Sequence, residues 1–321
     1  MRRHPLSQAR WVLLLSIATV SVAVAQPPVD PPQPVGVIGA PAGIGPYAAV
    51  AESFASMRHN TVYRPAKMPN ERLPLILWGN GGCRDNGLNN GAFLREVASH
   101  GFVIVAAGYP RAERALDNAP PRPPDAQSPP PPPSARAKDP TQPQQLLDAI
   151  GWMRAQIADR NSVFFGKVDV DRLGAMGHSC GGLQALSLAT DPRTKTTILF
   201  NSGVLNDGPE SGRSGIAIEK SELEKVHGPI AYINGGPADI AYKNALDDFS
   251  RLNRVPAFFG ENGVGHSGTF WSQPNGGDYA KVATAWMSWQ LKGDSSAAKM
   301  FQGKDCGLCV DANWKVRAKL E

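Results

Sequence analysis

Short apolar runs and amphipathic stretches alternate along most of the chain. Six runs are apolar and are ended or followed by Gly, Asn or Pro, at residues 73–78, 102–107, 173–176, 197–200, 230–234 and 257–259. Such runs are typical of strands buried on both faces of a parallel sheet. Helical periodicity occupies residues 92–99, 144–157, 183–189, 241–252 and 279–291. This alternation predicts an α/β fold, with a mostly parallel central sheet and helices on both faces.

A glycine-flanked serine follows the third of these runs. The sequence Gly177-His178-Ser179-Cys180-Gly181 lies between the predicted strand at residues 173–176 and the predicted helix at residues 183–189. A nucleophilic serine on a tight strand-to-helix turn needs small flanking residues, because a side chain there would strike the neighbouring helix or strand. We therefore predict that Ser179 is a nucleophile, and the alternative is a glycine-rich turn with an incidental serine.

A serine hydroxyl needs a base and an orienting acid, which follow the serine in the order acid, then His, in this architecture. Of the six histidines, only His227 and His266 lie downstream of Ser179. His227 precedes a predicted strand, at the wrong edge of the sheet. His266 lies in a glycine-rich loop after the predicted strand at residues 257–259, so we predict that His266 is the base.

The acid is expected in the loop after the strand at residues 230–234. Asp239 lies there, although an Asp at this point could simply cap the following helix. The other acidic candidates lie after the preceding strand, within the helix or beside the base, and they are Asp207, Asp247, Asp248 and Glu261. We predict that Asp239 is the acid, with Asp207 as the next candidate.

A developing oxyanion requires two backbone donors. The Cys180 amide, directly after the nucleophile, is one candidate. The glycine-rich loop after residues 73–78 offers Gly82 as the second, with Cys83 as its alternative. Cys83 and Cys180 would then lie close enough to form a disulfide, which is a hypothesis because four cysteines permit three pairings. The Cys306-Gly307-Leu308-Cys309 run favours a small local disulfide over a zinc site, since no partner ligands accompany it.

The N-terminal residues and two proline-rich segments indicate how the chain is divided and whether the protein is exported. Residues 1–25 have basic residues, a short apolar run and a small-residue ending, which predict a cleaved signal peptide; a membrane anchor is the alternative. Residues 26–42 are rich in Pro and Gly and predict a flexible leader, followed by one domain over residues 43–321. Residues 118–143 contain an unbroken proline run and predict an exposed loop insertion in that domain.

The overall composition limits the classes of binding partner that we expect for this protein. The 321 residues are 42% hydrophobic, enough for one sizeable core, and the formal charge is +5. The Lys and Arg residues are scattered rather than clustered, which does not favour a nucleic-acid partner. After signal cleavage no remaining stretch is apolar enough to insert stably in a membrane. We expect a secreted or periplasmic monomer whose mild positive charge suits acidic polymers.

Three segments together resemble the bacterial cutinase and polyester-hydrolase branch of the α/β-hydrolase superfamily, which also includes dienelactone-hydrolase-like enzymes. They are residues 98–105, residues 172–182 and Ala285-Trp286. The resemblance implies the α/β-hydrolase fold and a serine esterase without metal or cofactor. Its triad would be Ser179, Asp239 and His266, with Gly82 and Cys180 as oxyanion donors.

Two positions depart from that pattern. Polyester hydrolases usually carry a Tyr in the oxyanion loop and a Trp after the strand that follows the nucleophile. This chain has Gly81-Gly82-Cys83 and Asn201-Ser202-Gly203 there. Other aromatic side chains that could line a cleft are those of Tyr109, Phe270 and Trp271.

The sequence as a whole predicts a secreted serine carboxylic-ester hydrolase that acts through an acyl-enzyme on a small-molecule or polymeric ester. A serine peptidase or an acyl transferase on the same fold is the alternative, because a fold does not fix the chemistry. A non-catalytic wall-associated binding protein is a third hypothesis.

Overall fold

A mixed β-sheet forms the centre of the protein. The computed structural model describes residues 35–114, 140–208 and 216–320, all within one unit, Gln33–Glu321. Ten strands form the sheet in these ranges. They are β1 (Gly36–Ala42), β2 (Ala49–Ser53), β3 (Asn60–Pro65), β4 (Leu73–Gly79), β5 (Val103–Ala107), β6 (Val168–His178), β7 (Thr194–Phe200), β8 (Ile230–Asn234), β9 (Ala257–Glu261) and β10 (Lys315–Lys319).

The strand order is β1-β2-β3-β5-β4-β6-β7-β8-β9-β10. The six strands from β5 to β9 in this order pair in parallel. The antiparallel strands β1, β2 and β3 extend one side of this parallel centre, and β10 pairs antiparallel with β9 on the other. The carboxyl ends of the parallel strands therefore meet at one edge, where ligand sites form in such sheets.

Helices cover both faces of the sheet. The helices among the described residues are α1 (Gly91–Ser99), α2 (Pro143–Ala158), α3 (Cys180–Ala189), α4 (Tyr242–Arg251), α5 (Gly277–Lys292), α6 (Ser295–Ala298) and α7 (Gly307–Val310). Alternate residues of β4 belong to different hydrophobic clusters: Trp78 packs with residues of α1 and α5, whereas Leu77 packs with residues of α2. Helices α3 and α4 share a third cluster with Tyr232 of β8. None of the described helices has the length and hydropathy of a membrane span.

The predicted α/β class with a mostly parallel sheet is confirmed. All six predicted strands and five predicted helices are present, and all but the strand at residues 230–234 have shifted ends. Strands β1, β2, β3 and β10 were not predicted. Strand β10, for example, is Lys315–Lys319 with a largely exposed and basic pattern, because an edge strand needs little apolar surface.

The predicted flexible leader is wrong for its second half. Strand β1 begins at Gly36, inside the segment 26–42, and pairs antiparallel with β2. The folded part of the chain therefore starts before residue 43. A Pro- and Gly-rich composition did not prevent pairing, because an edge strand needs backbone partners on one side only. The signal-peptide prediction for residues 1–25 lies outside the described residues.

The predicted proline-rich insertion ends earlier than residue 143. Pro143 is the first residue of α2, and the Gln142 amide donates to Gln145 Oε1 at 2.8 Å. Thr141 is buried, and its amide donates to the Cys83 carbonyl at 2.9 Å. Residues 118–139 of the predicted insertion lie outside the described ranges.

Candidate active site

Ser179 occupies a strained turn between β6 and α3. Its φ of 54° and ψ of −122° lie in a region that non-glycine residues rarely adopt. A Cβ added at Gly177 would strike the Gly181 carbonyl, and one at Gly181 would strike the backbone of Gly79 at the end of β4. The strand, the turn and the helix are thus packed backbone against backbone. This packing explains why glycines flank the serine.

The structure brings the three residues of the predicted triad together. His266 Nε2 lies 2.9 Å from Ser179 Oγ, and His266 Nδ1 lies 2.6 Å from Asp239 Oδ1. Because an ionised carboxylate only accepts hydrogen bonds, the proton on Nδ1 faces Asp239 and the Nε2 lone pair faces the serine hydroxyl. This is the arrangement in which imidazole can accept the serine proton.

The carboxylate of Asp239 is buried and fully hydrogen-bonded. Beside His266, the amides of Ala241 and Gly235 donate to it at 2.9 and 3.3 Å. The Asn201 side-chain amide donates to Oδ2 at 2.7 Å. Burial alone would raise the pKa of Asp239, but the hydrogen bonds from His266, Ala241 and Asn201 outweigh it and lower the pKa below the ordinary value. Asp239 therefore stays ionised.

Two of the other acidic candidates bind cationic side chains of their own. Asp248 of α4 is buried and accepts from Lys220 and from the Val204 amide. Asp247 pairs with Lys220 and Arg251. These contacts leave Asp239 as the carboxylate in contact with the imidazole.

His227, which the sequence argument excluded as the base, lies away from Ser179 in the structure. It is exposed just before β8, and its Nδ1 lies 3.2 Å from the Lys225 carbonyl. The start of a parallel strand is at the opposite edge of the sheet from Ser179. The sequence argument against His227 therefore agrees with the structure.

Two buried side chains that sequence reasoning did not assign hold the loop of His266. Asn201, which has a φ of 46° directly after β7, donates to the Gly265 carbonyl at 2.9 Å as well as to Asp239. His178 Nε2 donates to the His266 carbonyl at 2.8 Å. Burial, with the nearby His266, lowers the pKa of His178 to about 3, so this imidazole is neutral. A polar residue directly after a buried strand at the carboxyl edge was the signal for Asn201.

The glycine-rich loop after β4 forms a 3₁₀ turn over Gly81–Cys83. Gly82 has a φ of 65° and Cys83 a φ of 47°. The Cys83 amide donates to the Asn80 carbonyl at 3.0 Å, which takes it out of consideration as an oxyanion donor. The Asn80 side chain is itself fixed, since it accepts from Trp78 Nε1 at 2.9 Å. Gly82 is exposed and remains the candidate in this loop.

The cysteines pair in the way that the two loops and the short C-terminal spacing predicted. Cys83 is bonded to Cys180, with a Cα–Cα distance of 5.2 Å and 97 residues between them in sequence. Cys306 is bonded to Cys309 near the end of the chain. The first bridge joins the residue after Gly82 to the residue after Ser179.

Phe270 and Trp271, which could have lined a cleft, are core residues instead. Phe270 is 1% exposed and packs edge-on against Trp78 and Phe93 in the core. Trp271 is 6% exposed, and its Nε1 donates to the Asn89 carbonyl at 2.9 Å. Both aromatic side chains therefore belong to the packing that covers the sheet. Tyr109 is partly exposed, with its hydroxyl 3.0 Å from His59 Nε2.

Neither a cluster of metal ligands among the described residues nor a similarity to known proteins adds to this geometry. Within residues 35–114, 140–208 and 216–320, no three His, Cys, Asp or Glu side chains cluster as metal ligands would. No protein-family model matches the chain, and no curated protein matches it significantly. The site must therefore be interpreted from its own residues.

Proposed function

We propose that this protein is a secreted serine carboxylic-ester hydrolase with the α/β-hydrolase fold. The observation that carries the proposal is the continuous hydrogen-bonded series from Ser179 through His266 to Asp239, built on a strained strand-to-helix turn. The order Ser, Asp, His along the chain and the placement of the serine at the carboxyl edge of the sheet are features of that fold. The sequence of residues 1–25 supports export.

In the proposed reaction, His266 Nε2 takes the Ser179 proton as the hydroxyl oxygen attacks the ester carbonyl carbon. Asp239 holds the imidazole through Nδ1 and stabilises its protonated form. The imidazolium then protonates the leaving alcohol, which departs as the acyl-enzyme forms. Water is activated by His266 in the same way, attacks the acyl carbon and releases the acid, which restores Ser179.

Negative charge on the tetrahedral oxygen would be stabilised by the amides of Cys180 and Gly82. Cys180 is the first residue of α3, whose amino end carries partial positive charge. Gly82 lies in the facing loop, tied to Cys180 through Cys83. Donors that are already in place cost no reorganisation when the charge develops.

The direct test is hydrolysis of short-chain p-nitrophenyl esters by the wild type and by Ser179→Ala. We expect kcat to fall by about 10³-fold or more in the variant, because the nucleophile is lost. Ser250→Ala, at an exposed serine of α4, is the matched control and should keep wild-type kcat. An inactive wild type, or a Ser179→Ala variant as active as the wild type, would contradict the proposal.

A covalent probe addresses the same residue without a chosen substrate. A fluorophosphonate reagent should label the wild type at Ser179, as located by peptide mass mapping, and should leave Ser179→Ala unlabelled. Parallel assays with p-nitroanilides and with alcohol acceptors separate an esterase from a peptidase and an acyl transferase. Cleavage of the p-nitroanilides that depends on Ser179 would favour the peptidase.

A further inference from the structure

The Cys83–Cys180 disulfide lies between the two candidate oxyanion donors. Cys83 follows Gly82 directly, and Cys180 supplies one donor amide itself. The Cys83 side chain is fully buried in a cluster with Leu183 and Leu186 of α3. The bridge is thus an internal part of the site rather than a surface staple.

The loop that carries Gly82 needs such a restraint. Gly82 and Cys83 both have positive φ, and a non-glycine residue such as Cys83 rarely adopts this conformation without outside support. Gly82 itself is exposed. Backbone contacts hold the neighbours of Gly82, since the Cys83 carbonyl accepts from the Thr141 amide and from Thr141 Oγ1. The covalent link from this loop to the nucleophile turn is the disulfide.

We propose that the Cys83–Cys180 disulfide is a positioning element of the oxyanion hole, which fixes the Gly82 amide relative to the Cys180 amide. The inference rests on the proposed esterase function. Transition-state stabilisation depends on donor placement more steeply than substrate binding does, since a displacement of about 1 Å can cost about 10²-fold in rate. Loss of the bridge should therefore lower kcat and leave KM nearly unchanged.

The test compares Cys83→Ala/Cys180→Ala with Cys306→Ala/Cys309→Ala, which removes the other disulfide. Both double variants keep all backbone amides, so no donor is deleted. We expect kcat on p-nitrophenyl butyrate to fall about 10- to 100-fold in the first variant, with KM within about twofold. An alkyl boronic acid, which forms a tetrahedral adduct on the serine, should bind more weakly by a similar factor. The control should match the wild type in both measurements.

Stability and positioning are separated by a second variant. Cys83→Val/Cys180→Ala refills the buried space beside Leu183, and circular dichroism and a thermal melt establish that it is folded. A refilled, folded variant with wild-type kcat and boronate affinity would overturn the proposal, as would one whose only change is a lower Tm. If the wild type hydrolyses no ester, the proposed function fails by itself, before any variant is compared.

Discussion

At the scale of single residues, Asn201 shows how much of the site depends on groups that never contact a substrate. Its side-chain amide donates to both Asp239 and the Gly265 carbonyl, and so it ties the acid to the loop that carries His266. The residue is completely buried.

We predict that Asn201→Ala lowers kcat about 10- to 100-fold, because Asp239 loses one hydrogen bond and the His266 loop loses an anchor. Loss of this donor also removes one of the contacts that lower the pKa of Asp239. Steady-state kinetics with a p-nitrophenyl ester would measure the loss of kcat. Asn206→Ala, at an exposed asparagine in the same loop, should behave as the wild type.

At the scale of elements, the nucleophile turn depends on close backbone packing. Gly181 of α3 sits against Gly79 of β4 with no room for a Cβ. Gly151 of α2 is the contrasting helical glycine, since a Cβ there meets no atom within 4 Å. The same substitution should therefore have opposite effects in the two helices.

We predict that Gly181→Ala destabilises the protein by at least about 3 kcal/mol, because strand and helix must move apart. Gly151→Ala should stabilise it by about 0.5–1 kcal/mol through helix propensity alone. Urea denaturation followed by circular dichroism measures both changes. A Gly181→Ala protein as stable as the wild type would contradict the close approach of α3 and β4.

Helix α4 is fixed to the sheet through Asp248. This carboxylate accepts from the Tyr232 hydroxyl at 3.3 Å and from Lys220 Nζ at 2.6 Å. Burial raises the pKa of Asp248 to about 6, and the charge of Lys220 offsets this only in part. A raised carboxyl pKa means that its contribution to stability is full below the ordinary value of 3.8 and is lost as pH rises through about 6.

We therefore predict that the stability advantage of the wild type over Asp248→Asn shrinks by about 3 kcal/mol between pH 3.5 and pH 7. Asp247→Asn provides a control of opposite sign. Hydrogen bonds from Arg251 and Lys220 lower the pKa of Asp247 to about 2, so its contribution is present above 3.8 and is lost as pH falls toward 2. Urea titrations between pH 2 and pH 7 would fail to support the assignment if both variants showed the same trend.

At the scale of the whole molecule, the C-terminal segment is packed on the core through Phe301. Its ring lies 5.1 Å from those of Phe258 in β9 and Trp286 in α5, and it stacks on Trp289 at 5.9 Å. Phe301 is 1% exposed. Beyond it the chain continues through α7 to β10, which pairs with β9. The end of the chain thus completes both a helical layer and a sheet edge.

We predict that Phe301→Ala lowers the free energy of unfolding by about 3–5 kcal/mol, because a large buried ring is replaced by a cavity. Phe165→Ala, where the ring is 43% exposed, should cost less than about 1 kcal/mol. At 25 °C the kcat of folded Phe301→Ala should stay within about twofold of the wild type. Equal stability losses in the two variants would argue against the packing of the C-terminal segment.

The sequence by itself determined the elements that carry strong local patterns. Apolar runs such as Ile230–Asn234 could be assigned to buried strands because both faces are covered. The candidate triad could also be chosen from the sequence. The strand-to-helix turn indicated Ser179, the order of residues along the chain indicated His266, and a loop position indicated Asp239. Edge strands such as Gly36–Ala42 escaped prediction, since a strand whose residues are mostly exposed needs no run of apolar side chains.

Tertiary structure alone decided which distant groups meet. The choice between Gly82 and Cys83 depended on a hydrogen bond to Asn80, and the disulfide pairing depended on two loops that are 97 residues apart. The role of Asn201 required three strands to end side by side. Such contacts leave no local pattern, because their free energy comes from burial and from hydrogen bonds that exist only in the folded chain.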